Sequence, residues 1–120
     1  MQALGLHIVA DFYNVNADLL TKVDEIKQIL EEGVKLTNLT MLDSYFHQFK
    51  PHGVTGIIVL AESHISIHTW PEYNYAALDI FVCSNFEKAF GYLDYLREKL
   101  RPMFVKKEIH LRGTNASNKS

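Results

Sequence analysis

The fold is decided by residues 56–83, which have the sequence GIIVLAESHISIHTWPEYNYAALDIFVC. The continuous apolar run at 56–61 predicts a strand that is covered on both faces. The β-branched and aromatic run at 65–70 predicts a second strand. Residues 71–74, with their proline and asparagine, predict a turn, and the apolar run at 76–83 predicts a further strand. Because the connections between these strands are short, an antiparallel sheet is favoured.

Three more strands are predicted on either side of this stretch. Residues 4–12 alternate strongly apolar side chains with small or polar ones, which is the period of two expected for a strand. Residues 38–50 are rich in threonine, leucine, tyrosine and phenylalanine, and residues 105–111 alternate again. These segments extend the predicted sheet in both directions along the chain.

Two amphipathic helices are predicted from apolar residues at helical spacing. We expect the first helix to begin at Asn16, whose side chain can cap it, and to end at Gly33. We expect the second to begin at a capping box formed by Ser84 and Glu87 and to end before Pro102. Both helices have one apolar stripe and need a surface on which to bury it.

The predicted element order is β-α-β-β-β-α-β, and the predicted fold is an α/β (α+β) two-layer sandwich. An antiparallel sheet with both helices on one face buries both apolar stripes. Several strands are apolar on both faces, so we expect the uncovered face to pack against a second copy in a homodimer. We expect one domain over residues 1–120, with a polar, frayed tail at 113–120.

Composition excludes several classes of function. The 120 residues are 48% hydrophobic and 22% charged, with a net charge of -2, so the concentrated basic face that binds nucleic acid is not expected. No segment approaches the roughly 20 apolar residues that span a membrane. The lone cysteine, Cys83, precludes a disulfide within the chain and suits a reducing compartment. We therefore expect a soluble cytoplasmic protein.

Residues 61–72 carry the chemistry-bearing side chains: two histidines, two serines, two glutamates and a tryptophan. Periodicity alone also fits an ordinary half-solvated strand, with His64 and His68 on one face and Ile65 and Ile67 on the other. A metal site is disfavoured, because the two histidines would lie about 13 Å apart on a strand. A serine hydrolase is disfavoured because no G-x-S-x-G motif is present.

Three motifs resemble those of the small prokaryotic S-adenosylmethionine decarboxylases. They are GVTG at 53–56, ESHISIHTWPE at 62–72 and AALDIFVC at 76–83; LGLH at 4–7 and FHQF at 46–49 are similar as well. The resemblance covers nearly the whole chain apart from the tail. It implies a carboxy-lyase made as a zymogen, which decarboxylates S-adenosyl-L-methionine to yield the aminopropyl donor of spermidine biosynthesis.

The same resemblance implies that the cofactor is made from the chain itself. Autocatalytic cleavage of the Glu62–Ser63 bond leaves a beta chain, 1–62, and an alpha chain, 63–120, and turns Ser63 into a pyruvoyl group that forms a Schiff base with the substrate. His68 is implied as the base of processing and Thr55 as its helper, although many relatives have serine there. Cys83 is implied as the donor of the proton that returns to the substrate.

The resemblance also implies the substrate pocket, at an interface between two subunits. It assigns Phe49 and His68 to adenine stacking, Glu72 to the ribose and Trp70 to the pocket beside it. Leu4 and Ile67 are assigned to the pocket or, equally, to the core. A pyruvoyl-dependent decarboxylase of arginine or ornithine and a non-catalytic dimeric homologue remain as alternatives.

One geometric question follows from the spacing of Ser63 and His68. They are separated by an odd number of residues, so a regular strand would direct them to opposite faces. Either the segment turns or bulges near Ser63, or His68 reaches the cleavage site from a second strand.

Overall fold

The computed structural model describes residues 3–116, which form a single sheet and two α-helices. In chain order these elements are β1 (Gly5–Tyr13), α1 (Val23–Leu36), β2 (Met41–Gln48), β3 (Val54–Leu60), β4 (Ser63–Trp70), β5 (Tyr75–Val82), α2 (Phe86–Leu100) and β6 (Phe104–Arg112). The strands pair in the order β2-β3-β4-β5-β1-β6, and all their pairings are antiparallel.

The predicted two-layer sandwich with an antiparallel sheet is confirmed, and both helices pack on one face. The order β-α-β-β-β-α-β names three strands between the helices, whereas the structure has four there, which correspond to the four strand segments predicted at 38–50, 56–61, 65–70 and 76–83. A two-residue turn at Ala61 and Glu62 lets residues 54–60 and 63–70 form separate strands. Of the tail predicted at 113–120, residues 117–120 lie outside the described residues.

The hydrophobic core lies between the sheet and the helices. On each central strand every second side chain faces the helices, as period-two alternation requires. Burying one such aliphatic or aromatic side chain contributes about 1.5–3 kcal/mol. The fully buried strand residues include Ile8, Phe12, Ile58, Ile65, Ile67 and Ile80, and they meet Ile26, Leu30, Leu93 and Leu96 of the helices.

The start of α1 differs from the prediction. Asn16 caps a short 3-10 turn, Ala17–Leu19, in which its side-chain oxygen accepts a hydrogen bond from the backbone nitrogen of Asp18 at 3.0 Å. The helix itself begins at Val23. The asparagine signal was therefore correct as a cap but belonged to a different element.

The end of α1 also differs, because Gly33 lies inside the helix. A Cβ at Gly33 would approach the ring of Tyr95 to 2.5 Å, so glycine is required by close packing of the two helices. The helix ends three residues later, where Asn38 adopts a left-handed conformation (φ 59°). The backbone nitrogen of Leu39 then donates to the carbonyl oxygen of Val34 at 3.0 Å, which completes a Schellman motif.

Helix α2 ends at Leu100, before Pro102, as predicted. Its N-terminus does not form the predicted capping box. Asn85 occupies the N-cap in a left-handed conformation, and no side chain caps the helix. Ser84 therefore lies one residue too early for the S-x-x-E geometry.

The second face of the sheet carries no helix in the described chain. A row of aromatic rings crosses it from β4 to β6, in which Trp70, Tyr75, Tyr13 and Phe104 follow one another with centroids 5.3–5.7 Å apart. Nearer its centre, Asp79 accepts a hydrogen bond from the Ser66 hydroxyl at 3.3 Å. We call this surface the open face. Neither helix of residues 3–116 combines the length and apolarity needed to cross a membrane.

Candidate active site

The Glu62–Ser63 bond lies at the tightest turn of the central hairpin. Leu60 pairs with Ser63, so Ala61 and Glu62 alone connect β3 to β4. Ser63 has a φ of 152°, a backbone conformation that residues other than glycine rarely adopt. Such a residue stores on the order of 1–3 kcal/mol of strain and persists only when its surroundings hold it. The strain is located at the bond for which the resemblance predicts cleavage.

Cys83 meets this bond through its backbone. Its N–H donates to the carbonyl oxygen of Glu62 at 2.8 Å. Cys83 directly follows β5, whose last residue, Val82, pairs with Ser63, and its side chain is exposed. The amide polarises the carbonyl and is positioned to stabilise negative charge on its oxygen.

Thr55 and His68 form a second group, on neighbouring strands. They are direct partners in the pairing of β3 with β4, and Thr55 Oγ1 lies 3.0 Å from His68 Nδ1. When Nδ1 carries the proton it donates to Thr55, and Nε2 is left as a free acceptor. The threonine hydroxyl thus orients an imidazole that can act as a base.

A cavity of about 260 Å³ opens beside this pair. It combines flat aromatic side chains with one carboxylate, and Glu72 Oε1 in it lies 3.4 Å from His52 Nε2. The lining residues are Phe49, His52, Gly53, Thr55, His68, Thr69, Trp70 and Glu72. The structure therefore brings Phe49, Trp70 and Glu72 together with Thr55 and His68.

The two groups lie at opposite ends of β4. Ser63 and His68 are five residues apart on a strand that pairs with β5 without a break in register. At about 3.3 Å per residue they are separated by about 16 Å. Neither the conformation of Ser63 nor the twist of a strand closes such a gap, so one chain does not bring His68 to its own Glu62–Ser63 bond.

The two residues assigned to pocket or core are now placed. Ile67 has no exposed surface and its side chain lies in the core, because alternation turns it away from His68 and towards the helices. Of the two placements expected for Ile67, its side chain occupies the core. Leu4 is 65% exposed and precedes β1 at the end of the sheet that holds Cys83, since Leu6 pairs with Val82.

Two residues at the site were missed by the sequence analysis. His52 faces Glu72, and Thr40 contacts the cleavage turn through Glu62. Both partners are about 20 residues away in the chain, and no local motif connects them. Pro51, His52 and Gly53 have the composition of a turn, which carries no signal for the contact with Glu72.

Comparisons with known proteins agree with this geometry. The family model described as S-adenosylmethionine decarboxylase matches residues 6–113. A protein from Aquifex aeolicus named S-adenosylmethionine decarboxylase proenzyme is 48% identical over 112 residues, which cover 93% of this chain and 83% of the relative. A protein of the same name from Hydrogenobaculum is 50% identical over 112 residues, covering 93% and 84%.

A solved structure is similar over the whole fold. The crystal structure of the adenosylmethionine decarboxylase from Aquifex aeolicus superposes with a TM-score of 0.90 at 46% identity, covering 93% of this chain and 92% of that one. The sandwich and the motif-bearing hairpin thus define an enzyme rather than a binding module. The chain belongs to the S-adenosylmethionine decarboxylase family.

Proposed function

We propose that this chain is the precursor of a pyruvoyl-dependent decarboxylase of S-adenosyl-L-methionine and that it activates itself by cleavage between Glu62 and Ser63. The observation that carries the proposal is the strained Ser63 next to a carbonyl that the Cys83 amide holds at 2.8 Å. The relatives are named proenzymes, which supports the proposal.

Cleavage is a rearrangement followed by an elimination. The Ser63 hydroxyl oxygen attacks the Glu62 carbonyl carbon, the Cα-attached nitrogen of Ser63 takes a proton as the C–N bond breaks, and an ester replaces the amide. Loss of the Ser63 Cα proton to a base then expels the Glu62 carboxylate and leaves dehydroalanine. Water converts that group to a pyruvoyl group and releases ammonia. The Cys83 amide supports the first step, because charge develops on the oxygen it contacts.

The base that removes the Ser63 Cα proton comes from a second copy of the chain. His68 and its partner Thr55 lie about 16 Å from the Ser63 of their own chain. In a two-fold interface, residue i of one copy meets residue j of the other and the reverse, so a dimer through the open face can bring each His68 to the partner's Ser63. The exposed apolar side chains of that face, among them Ile57 (40%) and Val59 (42%), support such packing.

The cavity beside His68 suits a nucleoside. Phe49 and His68 offer flat faces for adenine, and Trp70 beside them offers a further aromatic face for the sulfonium cation. The Glu72 carboxylate is an acceptor for ribose hydroxyls. The aromatic faces therefore favour adenosine, which has a ring to stack on them, over ornithine or arginine, whose cationic side chains the carboxylate alone would also suit.

Two groups have roles in the mature enzyme. The pyruvoyl carbonyl supplies an electron sink for the bond that releases CO2. Cys83, exposed at the same end of the sheet, gives a proton to the substrate α-carbon afterwards. The decarboxylated product is an aminopropyl donor for spermidine synthesis, and we place the enzyme in the cytoplasm, where its lone thiol stays reduced.

The test is mass spectrometry of the purified protein together with CO2 release. We expect two fragments that meet between residues 62 and 63, and CO2 release from S-adenosylmethionine but not from arginine or ornithine. Ser63→Ala should abolish both cleavage and activity. An intact chain that nevertheless decarboxylates S-adenosylmethionine would refute the proposal, and activity on arginine or ornithine alone would favour the alternative substrate class.

A further inference from the structure

We propose that Thr40 is a positioning residue for self-cleavage, which holds the Ala61–Glu62 turn in its strained geometry. This inference rests on the proposed function and deepens it. Thr40 lies between α1 and β2, 22 residues before Glu62, and belongs to none of the sequence motifs.

Thr40 grips the turn through three of its atoms. Its backbone N–H donates to Glu62 Oε1 at 3.0 Å, and its hydroxyl donates to Glu62 Oε2 at 3.2 Å. Its carbonyl oxygen accepts a hydrogen bond from the backbone N–H of Ala61 at 2.9 Å. Both residues of the turn are therefore held by one residue, and the Glu62 carboxylate has an uncharged donor on each oxygen.

Thr40 is itself held in place by the residues before it in the chain. The Schellman motif at the end of α1 sets the direction of the chain through Asn38 and Leu39. Leu39 is only 6% exposed and belongs to the core. Thr40 therefore presents its donors from a rigid support rather than from a mobile loop.

The consequence concerns the bond that is cut. On one side the Cys83 amide holds the Glu62 carbonyl oxygen, and on the other Thr40 holds the Glu62 side chain. A φ of 152° at Ser63 relaxes unless its neighbours resist, and these contacts resist from both sides of the turn. Attack on a carbonyl is sensitive to small misplacements of the reacting atoms, so loosening the grip should slow cleavage.

The test measures how fast newly made chains divide. Full-length protein is synthesised in a cell-free pulse, and the intact chain and the two fragments are followed by denaturing mass analysis. Thr40→Val removes the hydroxyl donor and keeps the backbone contacts, and we expect about five- to tenfold slower cleavage. Thr40→Ser restores the hydroxyl and should cleave at nearly the wild-type rate.

The matched control is Thr37→Val. Thr37 lies in the same connection, and its hydroxyl donates to Gly33 O at 2.8 Å rather than to the turn. The Thr37→Val variant should have lower thermal stability but an unchanged cleavage rate, which separates the positioning role of Thr40 from a general loss of stability. Glu62→Gln should slow cleavage as well. Thr40→Val should then slow cleavage much less in the Glu62→Gln background than in the wild type, because both changes disrupt the same contact.

The outcomes distinguish the two proposals. Equal cleavage rates for Thr40→Val, Thr37→Val and wild type would overturn the role of Thr40 and leave the proposed function standing. A wild-type chain that never divides would refute the proposed function and this inference with it. If Thr40→Val fails to fold by circular dichroism, the Glu62→Gln rate decides, and an unchanged rate there overturns the inference.

Discussion

The separation of Ser63 from His68 makes a complementation experiment decisive. Ser63→Ala removes the proposed nucleophile, and His68→Ala removes the proposed base. If each His68 serves the Ser63 of the partner chain, a mixed dimer of the two variants contains one complete site, built from Ser63 of one copy and His68 of the other. Neither variant alone contains such a site.

The expected yield follows from the geometry and from random pairing. A gap of about 16 Å within one chain excludes transfer to its own His68. With equal amounts of both variants, about half of the dimers are mixed, and each divides only its His68→Ala chain. About a quarter of all chains should therefore be cleaved, and all of the fragments should come from the His68→Ala variant.

The assay is co-expression from one vector, followed by intact-mass analysis. The two variants differ in mass, so the cleaved chains can be assigned. A double variant, Ser63→Ala/His68→Ala, co-expressed with the wild type is the control, because its mixed dimers contain no complete site and only about half of the wild-type chains should divide. Cleavage of His68→Ala on its own, or no cleavage in the mixture of single variants despite mixed dimers, would refute the shared site.

Three further outcomes are expected. Cys83→Ala keeps the backbone N–H on Glu62, so the chain should divide normally while CO2 release per cleaved chain, measured with labelled substrate, falls by about 10²–10⁴; near-normal turnover would remove the thiol from the mechanism. Gly33→Ala places a methyl group against the Tyr95 ring and should lower the free energy of unfolding, measured in urea titrations, by about 1–3 kcal/mol. An increase in the free energy of unfolding would mean that the two helices separate easily to accommodate the methyl group. Burial raises the pKa of the Tyr92 phenol and also that of Tyr75. Both groups therefore stabilise the folded state below their unfolded pKa of about 10, and the free energy of unfolding should fall as the pH rises above it. Tyr92→Phe should reduce this alkaline loss of stability, and an unchanged dependence of the free energy of unfolding on pH would contradict the expectation.

The sheet was predictable because its information is local. Alternation in β1 and the apolar run of β3 each depend on a few consecutive residues, and a strand with one covered face leaves that pattern in any sequence. The face of Ile67 was predictable in the same way, because its alternation with His68 placed it on the same face as Ile65, and both side chains are fully buried.

The errors came from contacts between distant parts of the chain. Gly33 has the composition of a helix stop, but the ring of Tyr95 on the other helix is what requires a glycine there. The contacts of Thr40 with Glu62 and of His52 with Glu72 bridge about 20 residues and depend on how α1 and the loop at 49–53 meet the hairpin. Local propensity carries no signal for such pairs, so only the folded chain reveals them.

The strand order has a consequence for the two pieces that the proposed cleavage would produce. Residues 1–62 supply β1, β2 and β3, and residues 63–116 supply β4, β5 and β6, yet β1 lies between β5 and β6. The two pieces are thus interwoven, and neither can leave without breaking ladders on both sides of β1. Under the proposal, the sheet assembles while the chain is continuous. Once a cleaved enzyme is denatured, its two pieces would have to find each other in solution, and we expect that activity lost by unfolding does not return on dilution.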